Sequence, residues 1–327
     1  MVFAGCSVPR QRFSAINIDC FDTVTQVIAY TETESDFKQL ENRIFNMLER
    51  YHQLFDAYNT YEGVNNIKTI NDSAGKSPVE VDPDLFEMLE FSKKAYTVTK
   101  GKTNIAMGSV LYLWHEHRTY SLENPETSIP EMSKLVEKNE HTNIENLVLD
   151  KENMTVFLSD PEMRLDVGAV AKGYAADKIA GYLRGLGYDS VAISLGGNVI
   201  TIGKRDDGNE WSIGIQDPFD ENGTVLSTKL LDTSLVTSGD YQRYYYHEGK
   251  KYHHIIDPDT LMPAEYFSSV SIVCPSSALA DALSTALFCM PYEEGLAIIE
   301  SLENTEALWL TPDGTQYMSS GFDEVVK

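Results

Sequence analysis

The chain has 327 residues, with 50 Asp plus Glu against 26 Lys plus Arg and a formal net charge of −24. That surplus of carboxylates repels phosphate backbones and anionic lipid surfaces, so no nucleic-acid partner and no polybasic membrane-surface role is expected. At 42% hydrophobic and 23% charged the composition is that of a globular protein with a sizeable core, and no run approaches the roughly 18 apolar residues of a membrane-spanning helix.

In chain order, the first feature is Cys6, which follows Phe3-Ala4-Gly5 and precedes Ser7. Small residues ahead of a cysteine are the pattern of a bacterial lipoprotein processing site. The charged and apolar stretch that such a signal needs is missing from the few residues before it, so either the start lies inside a longer signal sequence or the match is accidental. Cys6, Cys20, Cys274 and Cys289 show no CxxC spacing, which argues against a zinc knuckle or a thioredoxin-type redox site. Residues 1–17 read as a tail, and 18–327 as one domain.

Phe37, Leu40, Ile44, Met47, Leu48, Tyr51 and Leu54 recur at the spacing of an amphipathic helix, predicted over 34–54. Asp82-Pro83 is a start signal for a second helix, through Leu85, Met88, Leu89 and Phe91 to about Tyr96. The polar, Pro-interrupted stretch 121–143 reads as an insertion or lid. Two short strands are expected in 147–158 around a turn at 150–153. A helix over 171–186 closed by Gly187 follows, then a strand through Val191, Ile193 and Leu195 that halts at Gly196-Gly197. Alternation predicts strands at 198–203, 211–216, 228–237 and 243–246, with Asp206-Asp207-Gly208 and Asn222-Gly223 as hairpin turns. A helix over 277–290, another after Pro291 and a hairpin at Pro312-Asp313-Gly314 complete an order of elements that favours an α+β fold.

Several catalytic patterns fail. Gly101-Lys102-Thr103 has the end of a phosphate loop, but Tyr96 stands where its first glycine belongs. There is no GxSxG and no GxGxxG. His115 and His117 flank Glu116 without an obvious third metal ligand, which favours a surface or loop role.

Four constellations remain. In 166–174 small residues run into a helix start beside Lys172, where a phosphate would be held by exposed N–H groups; tight helix-to-sheet packing with a solvated lysine is the plainer alternative. Gly196 and Gly197 before Asn198 permit either close ligand approach or a simple turn. Thr237-Ser238-Gly239-Asp240-Tyr241 and the stretch from Tyr252 through His253 and His254 to Asp257-Pro258 concentrate hydroxyls, carboxylates and imidazoles. Such a density suits a general base, or else a turn with a satisfied histidine. Asp281 and Thr285, four apart on a helix, offer hard oxygen ligands for Mg²⁺, or else a carboxylate set against the helix dipole and a hydroxyl bonded back to a carbonyl.

Taken together these stretches resemble the ApbE family, the FAD:protein FMN transferases, over about 18–322. The matching segments are LDVGAVAKGYAADK (165–178), SLGGNV (194–199), WSIGIQDP (211–218), VTSGDYQRYY (236–245), YHHIIDPDT (252–260) and ADALSTAL (280–287), in the family order. The resemblance implies a single ApbE-like, T-fold-related α+β domain of two mixed α/β lobes, with the flavin site in the cleft between them. It implies an Mg²⁺-dependent enzyme outside the cytoplasm that moves the FMN half of FAD onto a Thr or Ser hydroxyl of an acceptor flavoprotein, a subunit of a membrane redox complex or a reductase, and releases AMP. A lipid anchor at Cys6 on the extracytoplasmic face of a bacterial membrane would fit.

By the same resemblance, Asp281, Thr285 and a backbone carbonyl, most simply that of Ala169, ligate the metal. Lys172 and Gly173 lie by the pyrophosphate; Gly196, Gly197, Thr237, Ser238, Gly239 and Asp257 line the cofactor. His254 is the leading base with Asp240 as competitor, and Asp257 belongs to the same catalytic motif. Tyr61, found by counting back from Asn71, corresponds to a residue near the isoalloxazine tied to FAD retention rather than hydrolysis. Two departures stand out: Leu261 replaces a glycine after Asp257-Pro258-Asp259-Thr260, and 103–109 lacks a carboxylate and a hydroxyl usual there, though Gly108 and Trp114 remain. The competing functions are an FAD pyrophosphatase using water at the same site, and a flavin-binding lipoprotein with no turnover.

Overall fold

Two paired strands, β1 (Gln11–Asn17) and β2 (Thr25–Thr31), open the computed structural model, which describes residues 9–124 and 128–326. Cys6 and residues 125–127 of the 121–143 stretch lie outside the described residues. Residues 11–17 of the stretch read as a tail are thus an edge strand of the main sheet. Phe13 and Ala15 pack against the core while Arg12, Ser14 and Ile16 are exposed, an alternation that the apolar Ile16 on the outer face obscures in the sequence. Helix α1 (Glu34–Phe55) starts at Thr33, whose hydroxyl accepts from the Asp36 N–H while the Asp36 carboxylate accepts from the Thr33 N–H. This reciprocal cap satisfies donors that the first turn leaves free. The helix buries Phe37, Leu40, Ile44, Leu48, Tyr51 and Leu54, each worth about 1.5–3 kcal/mol relative to exposure.

Next come α2 (Ile67–Asp72), the short β3 (Val79–Glu80), α3 (Pro83–Val98) begun by the Asp82 cap, α4 (Gly108–Ser121) and α5 (Met132–Asn139). The described part of 121–143 packs Leu135, fully buried, against Met107, Val110 and Trp114. Strands β4 (Leu147–Asp150) and β5 (Thr155–Leu158) pair about the expected turn and join β3 in a small sheet of order β3-β5-β4.

The second half holds α6 (Ala171–Gly185), β6 (Ser190–Leu195), β7 (Asn198–Gly203), β8 (Trp211–Asp217), β9 (Asp220–Leu230), β10 (Ser234–Gly239), β11 (Tyr244–His247), β12 (Lys250–His253), β13 (Ser269–Cys274), α7 (Ser277–Phe288), α8 (Tyr292–Ile299), β14 (Glu306–Leu310), β15 (Gln316–Met318) and α9 (Phe322–Val325). The single strand expected over 228–237 is two, broken where Asp232 takes a left-handed φ of 51°. Asp206-Asp207-Gly208 is no hairpin turn, because β7 pairs with β6 and β10 while β8 pairs with β9. Asn222-Gly223 lies inside β9, beside the register shift opposite Gln216, and the reversal falls at Pro218-Phe219. Local turn residues mark a change of direction but not which strands it joins.

The main sheet has eight antiparallel strands in the order β1-β2-β6-β7-β10-β13-β14-β15. All six residues of β13 are buried, as befits a strand covered on both faces. Helices α1, α6 and α7 pack on one face; the β8–β9 hairpin and Phe322 of α9 cover the other through Trp211, Ile215, Leu235 and Leu308. Two apolar cores meet on α7. Ala278 and Ala282 belong to the core built largely from the first 202 residues, and Ala280, Leu283 and Leu287 to the core of 236–309. The α+β expectation holds, with elements from both cores lining one large cavity.

Candidate active site

The cavity, about 800 Å³, is lined by the 21–24 strap, the end of α1, the 102–107 turn, α4, the start of α6, the ends of β10 and β12 and the inner face of α7. Its geometry begins with two helices that cap one another. Val170, at the start of α6, supplies no side-chain cap; the N–H of Gly173 donates instead to Asp281 Oδ2 of α7 at 2.9 Å. In return the Asp177 carboxylate of α6 accepts from the N–H groups of Ser277 (2.8 Å) and Ala278 (3.0 Å) and from the Ser276 hydroxyl (2.8 Å) at the start of α7. Burial pushes the Asp177 carboxyl up despite these three donors. The close approach needs Gly173, since a Cβ there would lie 2.2 Å from the Ser277 carbonyl oxygen.

Asp281 is buried, and its second oxygen, Oδ1, is 3.7 Å from Lys172 Nζ. Thr285 stands one turn further along α7. Ser238 Oγ lies 2.8 Å from Ser284 Oγ and 3.4 Å from Thr285 Oγ1, while Thr237 Oγ1 meets Ser271 Oγ at 2.7 Å. Ala169, Lys172, Gly196, Thr237, Ser238, Gly239, His254, Asp281 and Thr285 all line the cavity. No group of three His, Cys, Asp or Glu side chains shaped to hold a metal occurs among the described residues. One carboxylate with hydroxyls and a carbonyl is nevertheless a donor set that fits a hard cation retaining water, and Oδ1 of Asp281 is the oxygen not engaged by Gly173.

The two adjacent histidines have different environments. His253 is buried with both nitrogens used: Nε2 lies 2.8 Å from the Ala264 carbonyl oxygen, and Nδ1 accepts from the Ile255 N–H at 3.2 Å. That fixes a neutral tautomer. His254 is in the cavity wall, and its buried Nδ1 has no hydrogen-bond partner. Burial first, then Arg243 and Arg118, pull its imidazole down to about 3. The Asn198 amide nitrogen, in the same wall, is also buried without a partner. Both residues border the cavity, and each buries one polar atom that no described residue partners.

Other expectations are displaced. Asp240 pairs with Lys251 at 2.9 Å and lines a separate hollow of about 150 Å³, so it does not meet His254 in the main cavity. Asp257 is buried outside the wall, with Oδ1 2.8 Å from Lys102 Nζ. Gly173 and Gly197 stand behind the wall rather than in it. Gly196 is required by Thr23, whose Oγ1 would be 1.9 Å from a Cβ at that position. Tyr61 is also outside the wall, donating to Asp56 Oδ2 at 2.7 Å; the tyrosine lining the cavity is Tyr58. Tyr58 follows closely on the end of α1 at Phe55, which holds it against the cavity, whereas Tyr61 lies three residues further along the loop.

His115, assigned above to a surface or loop, stacks on Tyr58 with ring centroids 4.4 Å apart and 26° between planes. Tyr58 donates to Asp166 Oδ2 at 3.3 Å. Arg118, within 3.2 Å of His115 Nδ1, was not found from sequence, because a lone arginine on an amphipathic helix gives no local signal. Lys102, Arg118, Lys172 and Arg243 face the cavity against Asp22, Asp56, Asp166 and Asp281. The wall is thus balanced in charge within a chain at −24, so a bound anion does not meet the overall field there.

Hard oxygen donors, an ammonium at a helix start and an imidazole held neutral in one cavity are the equipment of phosphoryl-transfer chemistry. The comparisons agree with that class. The ApbE family pattern matches residues 21–309, and the chain belongs to the ApbE family. It is similar to a Klebsiella pneumoniae (strain 342) protein named FAD:protein FMN transferase, 33% identical over 287 residues, covering 86% of this chain and 85% of the relative. A Treponema pallidum protein of the same name is 33% identical over 302 residues, covering 87% and 80%. Among solved structures, the ApbE protein of Thermotoga maritima superimposes with a TM-score of 0.87 at 26% identity, covering 97% of this chain and all of that one. The flavin transferase ApbE of Vibrio cholerae does so with 0.82 at 26% identity and the same coverage.

Proposed function

We propose that this chain is an FAD:protein FMN transferase that holds FAD in the large cavity with Mg²⁺ at Asp281, Thr285 and the Ala169 carbonyl. The observation that carries the reading is the Gly173–Asp281 contact, which sets a carboxylate, an ammonium and a helix start around one point. When bound, the cation supplies neutralisation of charge on the pyrophosphate oxygens. Lys172, in the first turn of α6, binds the same oxygens. His254, kept neutral in the cavity wall, accepts the proton of the acceptor hydroxyl. The hydroxyl oxygen forms a bond to the FMN phosphorus as the bond from that phosphorus to the AMP oxygen breaks in line, and AMP carries away the electron pair. The Tyr58–His115 stack offers an aromatic surface for the isoalloxazine.

The acceptor in this reading is a flavoprotein subunit of a membrane redox complex or a reductase. The working site is the extracytoplasmic face of a bacterial membrane, with Cys6 as lipid anchor; the residues around Cys6 are the support for that placement. One assay tests the function: incubation with FAD, Mg²⁺ and a candidate acceptor, followed by fluorescence of the denatured acceptor band and measurement of AMP. Fluorescent acceptor with AMP is expected. AMP with free FMN makes the chain a pyrophosphatase, and neither product leaves a binding protein.

A further inference from the structure

The tripeptide Gly101-Lys102-Thr103 fails as a phosphate loop, yet Lys102 lies in the cavity wall with its ammonium 2.8 Å from Asp257 Oδ1 and 2.8 Å from Asp259 Oδ2. We propose that Lys102 is a positioning residue that locks the loop bearing His254 against the helix bearing Asp281 and Thr285. The inference rests on the flavin-transfer reading of the cavity.

The loop is a narrow reversal. Asp257 N–H donates to the Met262 carbonyl at 2.9 Å, Leu261 N–H to the Asp257 carbonyl at 2.8 Å, and Ala264 N–H to the Ile255 carbonyl at 3.0 Å. At its tip Leu261 has φ 61°, a left-handed conformation that favours glycine. What holds a leucine there is burial of its side chain and a 2.8 Å tie from Asp257, whose own carboxylate is buried. Oδ1 of that carboxylate takes two donors, the Asp259 N–H at 3.1 Å from within the loop and the Lys102 ammonium at 2.8 Å from outside it, so Lys102 is the partner that ties the loop to another element and removing it leaves a buried charge without its counter-ion.

Lys102 is itself fixed at both sides. Its N–H donates to the Thr99 carbonyl at 3.0 Å at the end of α3, and the next side chain, Thr103, donates to the Ala282 carbonyl at 2.6 Å, one residue beyond Asp281. The path from His254 to Asp281 therefore runs through one ion pair, Asp257–Lys102, and one hydrogen bond, Thr103 to Ala282, with the bond to Thr99 anchoring Lys102 on α3. Displacement of a reacting group by about 1 Å costs about a hundredfold in rate, so a device that fixes this spacing acts on turnover rather than on FAD binding.

The test compares Lys102→Met and Lys102→Arg with wild type in flavin transfer, FAD titration and amide hydrogen exchange. K102M should lower kcat about tenfold to a hundredfold with the FAD KM within about twofold, and raise exchange at Leu261 and Ala264 about tenfold while α7 stays protected. K102R, whose fork can reach both carboxylates, should restore most of kcat. A raised KM with unchanged kcat would make Lys102 an FAD contact and overturn the proposal, as would unchanged exchange in the loop. Where K102M does not fold, K102M/D257N, which leaves no unpaired buried charge, takes its place with the same expected readouts. Absence of transfer in the wild type would sink the flavin-transfer reading alone, because the exchange measurement decides the positioning role without it.

Discussion

Gly173 and Asp281, 108 residues apart in sequence, are joined by a 2.9 Å hydrogen bond from the backbone N–H of one to the carboxylate of the other. The bond uses one oxygen of Asp281 and leaves the other toward the cavity, so substitutions at the two positions separate folding from chemistry. Asp281→Asn keeps an acceptor for Gly173 while removing the charge. Flavin transfer should fall a hundredfold or more, on the order of several kcal/mol of lost charge stabilisation, with the melting temperature nearly unchanged. Wild-type transfer by this variant at physiological Mg²⁺ would remove Asp281 from the metal site.

Gly173→Ala tests the same contact from the side of packing. A methyl 2.2 Å from the Ser277 carbonyl forces α6 and α7 apart, at about 1–3 kcal/mol in urea unfolding. FAD affinity should fall with it, because the start of α6 moves away from Asp281. Unchanged stability would mean that the helices do not approach as closely in solution.

His254 gives a pH signature. Its imidazole is pulled down from 6.5 to about 3, so the folded protein keeps it neutral through pH 4–8 while the unfolded chain takes up a proton below about 6.5. Stability is therefore present above about 6.5 and is lost as pH falls from there toward 3. The His254→Gln protein should lose stability less steeply than wild type between pH 6.5 and 5, where few carboxylates titrate. Transfer should slow markedly in this variant with FAD binding retained. An acid limb near 6.5 in the wild-type rate profile that vanishes in His254→Gln would contradict a neutral imidazole.

Chelation of Mg²⁺ by EDTA should weaken FAD binding about tenfold in a fluorescence titration, equivalent to about 1.4 kcal/mol. The balanced wall of four cations and four carboxylates binds an anion only modestly without the added charge. An affinity that ignores chelation would place the pyrophosphate elsewhere.

Much of this was legible in the sequence where the signal is local. The helical spacing of Phe37 to Leu54, the Asp82-Pro83 start and the strand ending at Gly196 appear as read, because each depends on neighbours within a few residues. The Asp281–Thr285 pair faces the cavity as its four-residue spacing predicts. What sequence could not supply is partnership over distance. Asp240 carries the chemistry of a base but is claimed by Lys251, and Asp257 by Lys102. Tyr61 lies outside the cavity wall, three residues from Tyr58, which lines it. His115 and Arg118 enter the site only because α4 packs so that one of its faces borders the cavity.

The mutual caps of Asp177 and Asp281 also bear on synthesis. Residues 171–177 emerge about a hundred positions before the segment that satisfies them, so a ribosome-bound chain has the start of α6 long before it has the carboxylate that caps it. In the proposed reading the nascent protein is therefore inert toward FAD until α7 docks, and the same docking event closes the fold and arms it.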